Sequence, residues 1–117
     1  MKRVILDTNA LMAIAEFKID IFSELVGYSV VTLSGVVEEL QKIHDQQRGK
    51  FKRAAKLALE ILYSKKVKII VSSGNVDDAL VELSKNNLVL TQDIALKKRL
   101  SKPYMTIRQK KKVVVVE

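Results

Sequence analysis

The chain has 117 residues, 48% of them hydrophobic, which is enough for one domain with a buried core and too short for two ordinary domains. It has no cysteine and a single histidine, so disulfides, thiolate metal sites and sites built from several imidazoles are excluded. Lysine and arginine number 21 against 13 aspartates and glutamates. The net charge of +8 favours a polyanionic partner, although a soluble basic surface would give the same balance.

No apolar run at the N-terminus is long enough for a signal peptide, and none elsewhere approaches the ~20 residues of a membrane span. The sequence therefore predicts a cytoplasmic protein that does not associate with a membrane. It shows no internal repeat and no linker, so residues 1–117 are predicted to form a single domain.

The apolar pattern predicts strands that alternate with helices. The strands are expected at 4–6, 29–33, 67–71, 88–90, 104–107 and 113–116. The helices are expected at 9–26 (in two pieces broken near Lys18), 35–46 (capped by Ser34), 51–63, 76–86 and 92–100. This alternation indicates an α/β fold with a mainly parallel sheet.

Acidic residues follow four of the predicted strands. They are, in chain order, Asp7, Glu38 and Glu39, Asp77 and Asp78, and Asp93. Because ligands of open parallel sheets bind beyond the carboxyl ends of the strands, these acids are expected to converge at one edge of the sheet. Asp7 is the hardest to explain otherwise, since an aspartate at the end of a buried strand needs partners.

Several carboxylates in one place repel each other and cannot all stay ionised without a cation. Oxygen ligands suit Mg²⁺ or Mn²⁺, and the lack of cysteine and of a second histidine argues against zinc. Such an ion positions and deprotonates a water and stabilises charge on a scissile phosphate. The acids and the basic balance together predict a metal-dependent enzyme acting on a nucleic acid.

Helical geometry separates some of these acids. In the helix at 35–46, Glu39 borders the apolar stripe whereas Glu38 points away from it, so Glu39 is the predicted site residue and Glu38 a solvated charge. Asp77 lies nearer to the apolar border than Asp78. Both stand in a first turn, where aspartate is also a common cap and where a side chain can still reach a cleft, so this pair stays undecided.

Four motifs in this order resemble the PIN-domain nucleases. They are Leu6-Asp7-Thr8-Asn9, Val37-Glu38-Glu39-Leu40, Asp77-Asp78-Ala79-Leu80 and Thr91-Gln92-Asp93. Each motif alone is common, but their order and spacing cover nearly the whole chain. The sequence is most similar to the archaeal-type single PIN domains related to eukaryotic pre-rRNA-cutting nucleases, with the PIN toxins of toxin–antitoxin pairs as the other close branch.

The resemblance implies a three-layer α/β/α domain with a mainly parallel central sheet, dependence on Mg²⁺ or Mn²⁺, single-stranded or looped RNA as substrate, and frequent homodimerisation. The implied catalytic acids are Asp7, Glu39, Asp78 and Asp93. The implied metal ligands are Asp7, Asp78 and Asp93, because the family prefers the aspartate directly before Ala-Leu to Asp77. The implied supporting residues are Thr8, Asn9, Asp77 and Thr91.

Two groups of basic residues are expected to hold the RNA. The first surrounds a helix start and comprises Arg48, Lys50, Lys52, Arg53 and Lys56, and the second follows Asp93 and comprises Lys97, Lys98 and Arg99. Phosphate contacts of this kind give affinity without sequence choice. Aromatic residues are only 5% of the chain, so a stacking platform for bases is poorly supported.

The sequence thus predicts a metal-dependent endoribonuclease, with rRNA processing as its role. One alternative is the toxin of a toxin–antitoxin pair, which has the same chemistry and an antitoxin partner. Another is a non-catalytic RNA-binding or ribosome-assembly module, against which the presence of all four acids argues. A receiver-like domain is a distant choice because its phosphoacceptor-plus-lysine pattern is missing. Residues 113–116 are a candidate for pairing between two copies of the chain.

Overall fold

A computed structural model describes the whole chain from Met1 to Glu117, and its strands form one six-stranded sheet. The strands are β1 (Arg3–Leu6), β2 (Ser29–Leu33), β3 (Lys68–Ile70), β4 (Leu88–Leu90), β5 (Tyr104–Arg108) and β6 (Lys112–Val116). Their order across the sheet is β3-β2-β1-β4-β5-β6, with β6 antiparallel to β5 and all other pairs parallel. The predicted α/β fold with a mainly parallel sheet is confirmed.

Six helices connect the strands. They are α1 (Thr8–Phe17), α2 (Ile21–Glu24), α3 (Ser34–Gln46), α4 (Gly49–Ser64), α5 (Val76–Leu83) and α6 (Ile94–Arg99). Because crossovers between parallel strands are right-handed, α1, α3 and α4 cover one face of the sheet and α5 and α6 cover the other. The contacts agree, since α1, α3 and α4 pack on each other and α5 contacts α6. The result is the expected three-layer arrangement.

The direction of winding reverses between β1 and β4, the two strands at the centre of the sheet. From β1 the chain proceeds towards β2 and β3, and from β4 it proceeds towards β5. Open α/β sheets bind ligands in the crevice at such a reversal. Leu6 and Leu90 are partners in the register, so β1 and β4 end at the same level and the residues after them share one edge.

The core of the molecule is built on these central strands. Every residue of β4, and every residue of β1 from Val4 to Leu6, is buried, as expected of strands covered on both faces. Helix α1 ends at Phe17, and the positive φ of 54° at the next residue, Lys18, produces the predicted break before α2. None of the helices has the length and apolar character needed to cross a bilayer.

Two local predictions were wrong. Ser34 does not cap α3 but is its first residue, and the capping position falls on Leu33 without a side-chain bond. The Ser34 hydroxyl instead accepts a 2.8 Å hydrogen bond from the backbone N–H of Ser72, which ties α3 to the segment after β3. Helix α5 ends at Leu83 instead of continuing to 86, because residues 84–86 form a turn before β4.

Candidate active site

Asp7 is the most buried of the acids, with 4% of its surface exposed. Its backbone N–H donates to the carbonyl of Leu90 at 3.1 Å, which extends the pairing of β1 and β4 by one residue. Its carboxylate accepts hydrogen bonds from the backbone N–H of Thr8 at 2.6 Å and from the Thr91 hydroxyl at 2.7 Å. Burial raises the pKa of Asp7, these hydrogen bonds partly offset the rise, and the charges of Asp77 and Asp93 add to it.

The Thr91 hydroxyl connects two of the acids. It donates to Oδ2 of Asp7 and accepts a 3.0 Å hydrogen bond from the backbone N–H of Asp93. Asp93 in turn caps α6, since its Oδ1 accepts from the backbone N–H of Leu96 at 3.1 Å. One buried threonine therefore sets the position of Asp7 relative to the loop that carries Asp93.

Gln92 ties the loop after β4 to β5, a role that the sequence analysis did not predict. Its Oε1 accepts from the Thr106 hydroxyl at 2.8 Å and from the backbone N–H of Ile107 at 2.6 Å, and its Nε2 donates to the Ile107 carbonyl at 3.1 Å. The side chain thus pairs with β5 as a further strand residue would, where β4 has already ended. Only the residue's position just past a strand end could have indicated this.

Glu39 faces the same edge from α3. It is half-buried, whereas the neighbouring Glu38 is exposed. Burial raises the pKa of Glu39, and the charges of Asp7 and Asp77 raise it further. The Thr8 hydroxyl lies beside the Glu39 carboxylate and is buried without a hydrogen-bond partner of good geometry. Glu39 therefore belongs electrostatically to the group around Asp7.

The structure separates Asp77 from Asp78. Asp77 is half-buried, and its charge acts on both Asp7 and Glu39. Asp78 is exposed and its Oδ1 accepts a 2.6 Å hydrogen bond from Nη2 of Arg99, in an ion pair between α5 and α6. The carboxylates whose charges act on Asp7 or Glu39 are thus those of this pair, Asp77 and Asp93, and the side chain of Asp78 is directed towards Arg99 instead.

The first turn of α3 approaches the first residue of α5, next to Asp77, at a glycine that the sequence analysis missed. Gly35 lies in the first turn of α3, and a Cβ added there would stand 2.7 Å from Cγ2 of Val76 and 3.1 Å from Oγ of Ser72. Only glycine permits this approach without a shift. A glycine two residues after the end of β2 was a visible signal for it.

The side chains at this edge offer oxygen atoms, which are the ligands that Mg²⁺ and Mn²⁺ prefer. All the converging side chains are carboxylates, and the buried Thr8 hydroxyl among them lacks a partner that a cation or its water would supply. No three acidic or histidine side chains stand close enough together to hold a metal ion between them. The four acids therefore form a loose group, the acidic pocket, and not a finished set of ligands.

The other predicted site residues lie on different parts of the surface. Asn9 is exposed and lines a groove of about 450 Å³ that also includes Lys50 and Phe51. Lys52 donates to the carbonyl of His44 at 2.8 Å. Arg99, as described above, is paired with an aspartate, so the three consecutive basic residues 97–99 are not equivalent.

Arg108 is a further cation at this edge that the sequence analysis did not single out. It ends β5, which runs parallel to β4, and it lies close enough for its charge to affect Lys97. Burial lowers the pKa of Lys97, and the neighbouring Arg108 lowers it further. The reasoning that located the acids, which looks at residues after parallel strands, would also have located Arg108.

Comparison with known proteins finds a family and a relative that match nearly the whole chain. Residues 4–110 match the family described as "PIN like domain". Over 125 aligned residues the chain is 32% identical to "Ribonuclease VapC4" of Methanocaldococcus jannaschii, and the match covers 95% of this chain and 94% of that protein.

Two solved structures share the fold. One is a domain of a functionally unknown protein from Methanocaldococcus jannaschii, with a TM-score of 0.60 and 17% identity over 84% of this chain and 83% of that one. The other is PAE2754 from Pyrobaculum aerophilum, with a TM-score of 0.59 and 16% identity over 86% of this chain and 81% of that one. At these identities the likeness extends to the architecture alone.

Proposed function

Because this chain belongs to the PIN-like domain family, we propose that it is a metal-dependent endoribonuclease that hydrolyses phosphodiester bonds in RNA. The observation that carries the proposal is the convergence of Asp7, Glu39, Asp77 and Asp93 where the winding of the sheet reverses. The ribonuclease name of the Methanocaldococcus jannaschii relative and the net charge of +8 support RNA as the substrate.

In this proposal Asp7, Asp77 and Asp93 hold the metal. PIN ribonucleases generally use a divalent metal, and oxygen ligands favour Mg²⁺ or Mn²⁺ here. The bound ion would supply positive charge beside the scissile phosphate and would lower the pKa of a water. The resemblance favours Asp78 for the position given to Asp77, but the geometry favours Asp77, because Asp78 is exposed and paired with Arg99.

The remaining residues of the acidic pocket are assigned two roles, which are orientation of the metal ligands and transfer of a proton. Thr91 fixes Oδ2 of Asp7 and the backbone N–H of Thr8 fixes Oδ1, so the carboxylate is held in one orientation. The raised pKa of Glu39 brings its carboxylate nearer to the range of an effective general base, and we assign it the proton of the attacking water. Thr8, through its unpartnered hydroxyl, is the residue placed to hold that water.

The experiment is cleavage of a panel of single-stranded and looped RNAs with Mg²⁺ or Mn²⁺, with EDTA as the metal-free control. Asp93→Asn and Glu39→Gln are expected to lose at least about 100-fold in rate, since each loses a charge that acts on the reacting groups. Glu38→Gln is the matched control, because it removes an exposed carboxylate one position away. Cleavage that persists in EDTA, or that survives Asp93→Asn, would contradict the proposal.

Similarity to a VapC ribonuclease favours a toxin of a toxin–antitoxin pair over the rRNA-processing role that the sequence analysis placed first. The toxin role requires a cognate antitoxin protein. Expression of the chain alone is then expected to arrest growth, and co-expression of a neighbouring small open reading frame is expected to restore it. Growth arrest by Asp93→Asn would show that toxicity does not depend on the acids.

A further inference from the structure

The three basic residues that follow Asp93 face two different surfaces. Arg99 lies towards α5, where Nη2 bonds the Asp78 carboxylate at 2.6 Å. Lys97 and Lys98 instead line a cleft of about 460 Å³ on the side of α6 that faces β5. The other residues lining this cleft are Ile94, Leu100, Lys102 and Tyr104. Three neighbours in sequence thus serve two surfaces, and of the three only Arg99 forms an ion pair.

The cleft opens beside the acids. Ile94 directly follows Asp93 and is 71% exposed, and Lys97 lies close enough to Asp93 for that carboxylate to act on its pKa. Helix α6 then runs back towards the beginning of β5, where Lys102 and Tyr104 complete the lining. Six helical residues span roughly 9 Å, so the cleft leads away from the pocket over that distance.

None of the cations along this path takes part in an ion pair within the protein. The cations are Lys97, Lys98, Lys102 and, at the end of β5, Arg108. The ion pairs of the molecule are His44–Asp45, Lys85–Glu82 and Arg99–Asp78, and none includes a cation of this path. Like charges held close together disfavour one another, and a bound anion relieves that cost. Burial lowers the pKa of Lys97, and the nearby charge of Arg108 lowers it further.

We propose that the RNA strand runs from the acidic pocket along the cleft between α6 and β5, with Arg108, Lys97, Lys98 and Lys102 contacting its phosphates. This inference rests on the proposed function and names the path of its substrate. The exposed side chain of Ile94 and the half-buried ring of Tyr104 provide apolar surface for a base between the phosphate contacts. Asp78 makes the α5 side of the helix unfavourable for the strand.

The test is RNA binding in EDTA, which separates it from cleavage. Fluorescence anisotropy of a short labelled oligouridylate is measured over a series of salt concentrations. Lys97→Gln with Lys98→Gln is compared with Lys68→Gln plus Lys85→Gln, which removes the same charge from residues outside the cleft, on β3 and just after α5. Loss of two phosphate contacts is expected to reduce the slope of log K against log salt by about 1.4, at roughly 0.7 per contact for single strands.

The slope of the charge-matched control is expected to stay at the wild-type value. Equal losses in both double variants would overturn the path, because net charge alone would then explain binding. A larger effect of Arg99→Gln than of Lys97→Gln would also overturn it, in favour of a path along α5. Polyglutamate that competes as well as RNA of equal charge would assign the cleft to an acidic polypeptide instead. Retained salt-dependent binding with no cleavage in metal would refute the nuclease but not the path.

Discussion

The hydroxyl of Thr91 donates a 2.7 Å hydrogen bond to Oδ2 of Asp7, although the two residues stand 84 positions apart in the chain. The bond forms because β1 and β4 are adjacent, parallel and end at the same level. It joins the two halves of the sheet at the point where their winding diverges. Structure and proposed catalysis therefore depend on the same contact.

Replacement of Thr91 by valine tests this contact. Valine keeps the shape of the side chain but leaves a lone pair of Asp7 and the backbone N–H of Asp93 unpaired in a buried site. The free energy of unfolding is expected to fall by about 1–3 kcal/mol in urea denaturation, and RNA cleavage is expected to fall with it. Thr91→Ser retains the hydroxyl and serves as the control. Equal stability of the valine and serine variants would contradict the assigned role.

Asp77→Asn and Asp78→Asn are expected to differ sharply. The first removes a charge that acts on Asp7 and Glu39, and it is expected to weaken Mn²⁺ binding by about 10- to 100-fold or more, with a matching loss of cleavage. The second breaks an exposed ion pair with Arg99, which contributes only about 0–1 kcal/mol. Isothermal titration with Mn²⁺ and cleavage assays distinguish the two. The opposite order of effects would restore Asp78 to the metal site.

Addition of Mn²⁺ is expected to stabilise the fold. A ligand at about 100 times its Kd adds about 2.7 kcal/mol to the free energy of unfolding if it binds the folded chain alone. For a domain of this size each kcal/mol corresponds to roughly 4 °C in Tm, so a shift of about 10 °C is expected in differential scanning calorimetry. Asp93→Asn should lose most of this shift, and Glu38→Gln should retain it. An equal shift in both variants would show that the ion binds elsewhere.

Asp7 gives the stability of the metal-free protein a specific pH dependence. Burial raises the pKa of Asp7 in the folded state above the usual 3.8. At a pH between 3.8 and the folded-state pKa, the folded chain therefore holds a proton that the unfolded chain has released. Stability from this group therefore falls as pH rises through the folded-state pKa, and the effect is absent below 3.8. The free energy of unfolding of Asp7→Asn minus that of wild type is expected to increase with pH over this window. Urea denaturation in EDTA at several pH values measures the difference, and a constant difference would contradict the raised pKa.

Gly35→Ala is expected to disturb the site from a distance. The added Cβ would meet Cγ2 of Val76 at 2.7 Å and push α3 away from the beginning of α5, which separates Glu39 from Asp77. Overpacking of this kind costs about 1–3 kcal/mol, partly offset because alanine favours a helix over glycine. Tm and cleavage are expected to fall together. Val76→Ala in the same chain makes room for the Cβ and should restore both; failure to do so would assign the effect to another contact.

The sequence by itself determined which segments become strands and which side of α3 faces the core. Continuous apolar runs such as Val4–Leu6 and Leu88–Leu90 produce strands that are buried on both faces, and these patterns are local. The same periodicity left Glu39 half-buried and Glu38 exposed. Position after a strand end, together with the rule that parallel strands share an edge, was enough to place Asp7 and Asp93 near each other.

Only the tertiary structure decided which of two adjacent aspartates faces the other acids, and which of three adjacent cations forms an ion pair. Asp77 and Asp78 have nearly the same local pattern, and they differ because α6 brings Arg99 to one of them while α3 brings Glu39 to the other. Local periodicity fixes the direction of a side chain about its own helix axis. Local periodicity does not determine the distance from that side chain to a neighbouring helix or strand. This distance depends on contacts between segments far apart in the chain, such as those of Gly35 and Gln92.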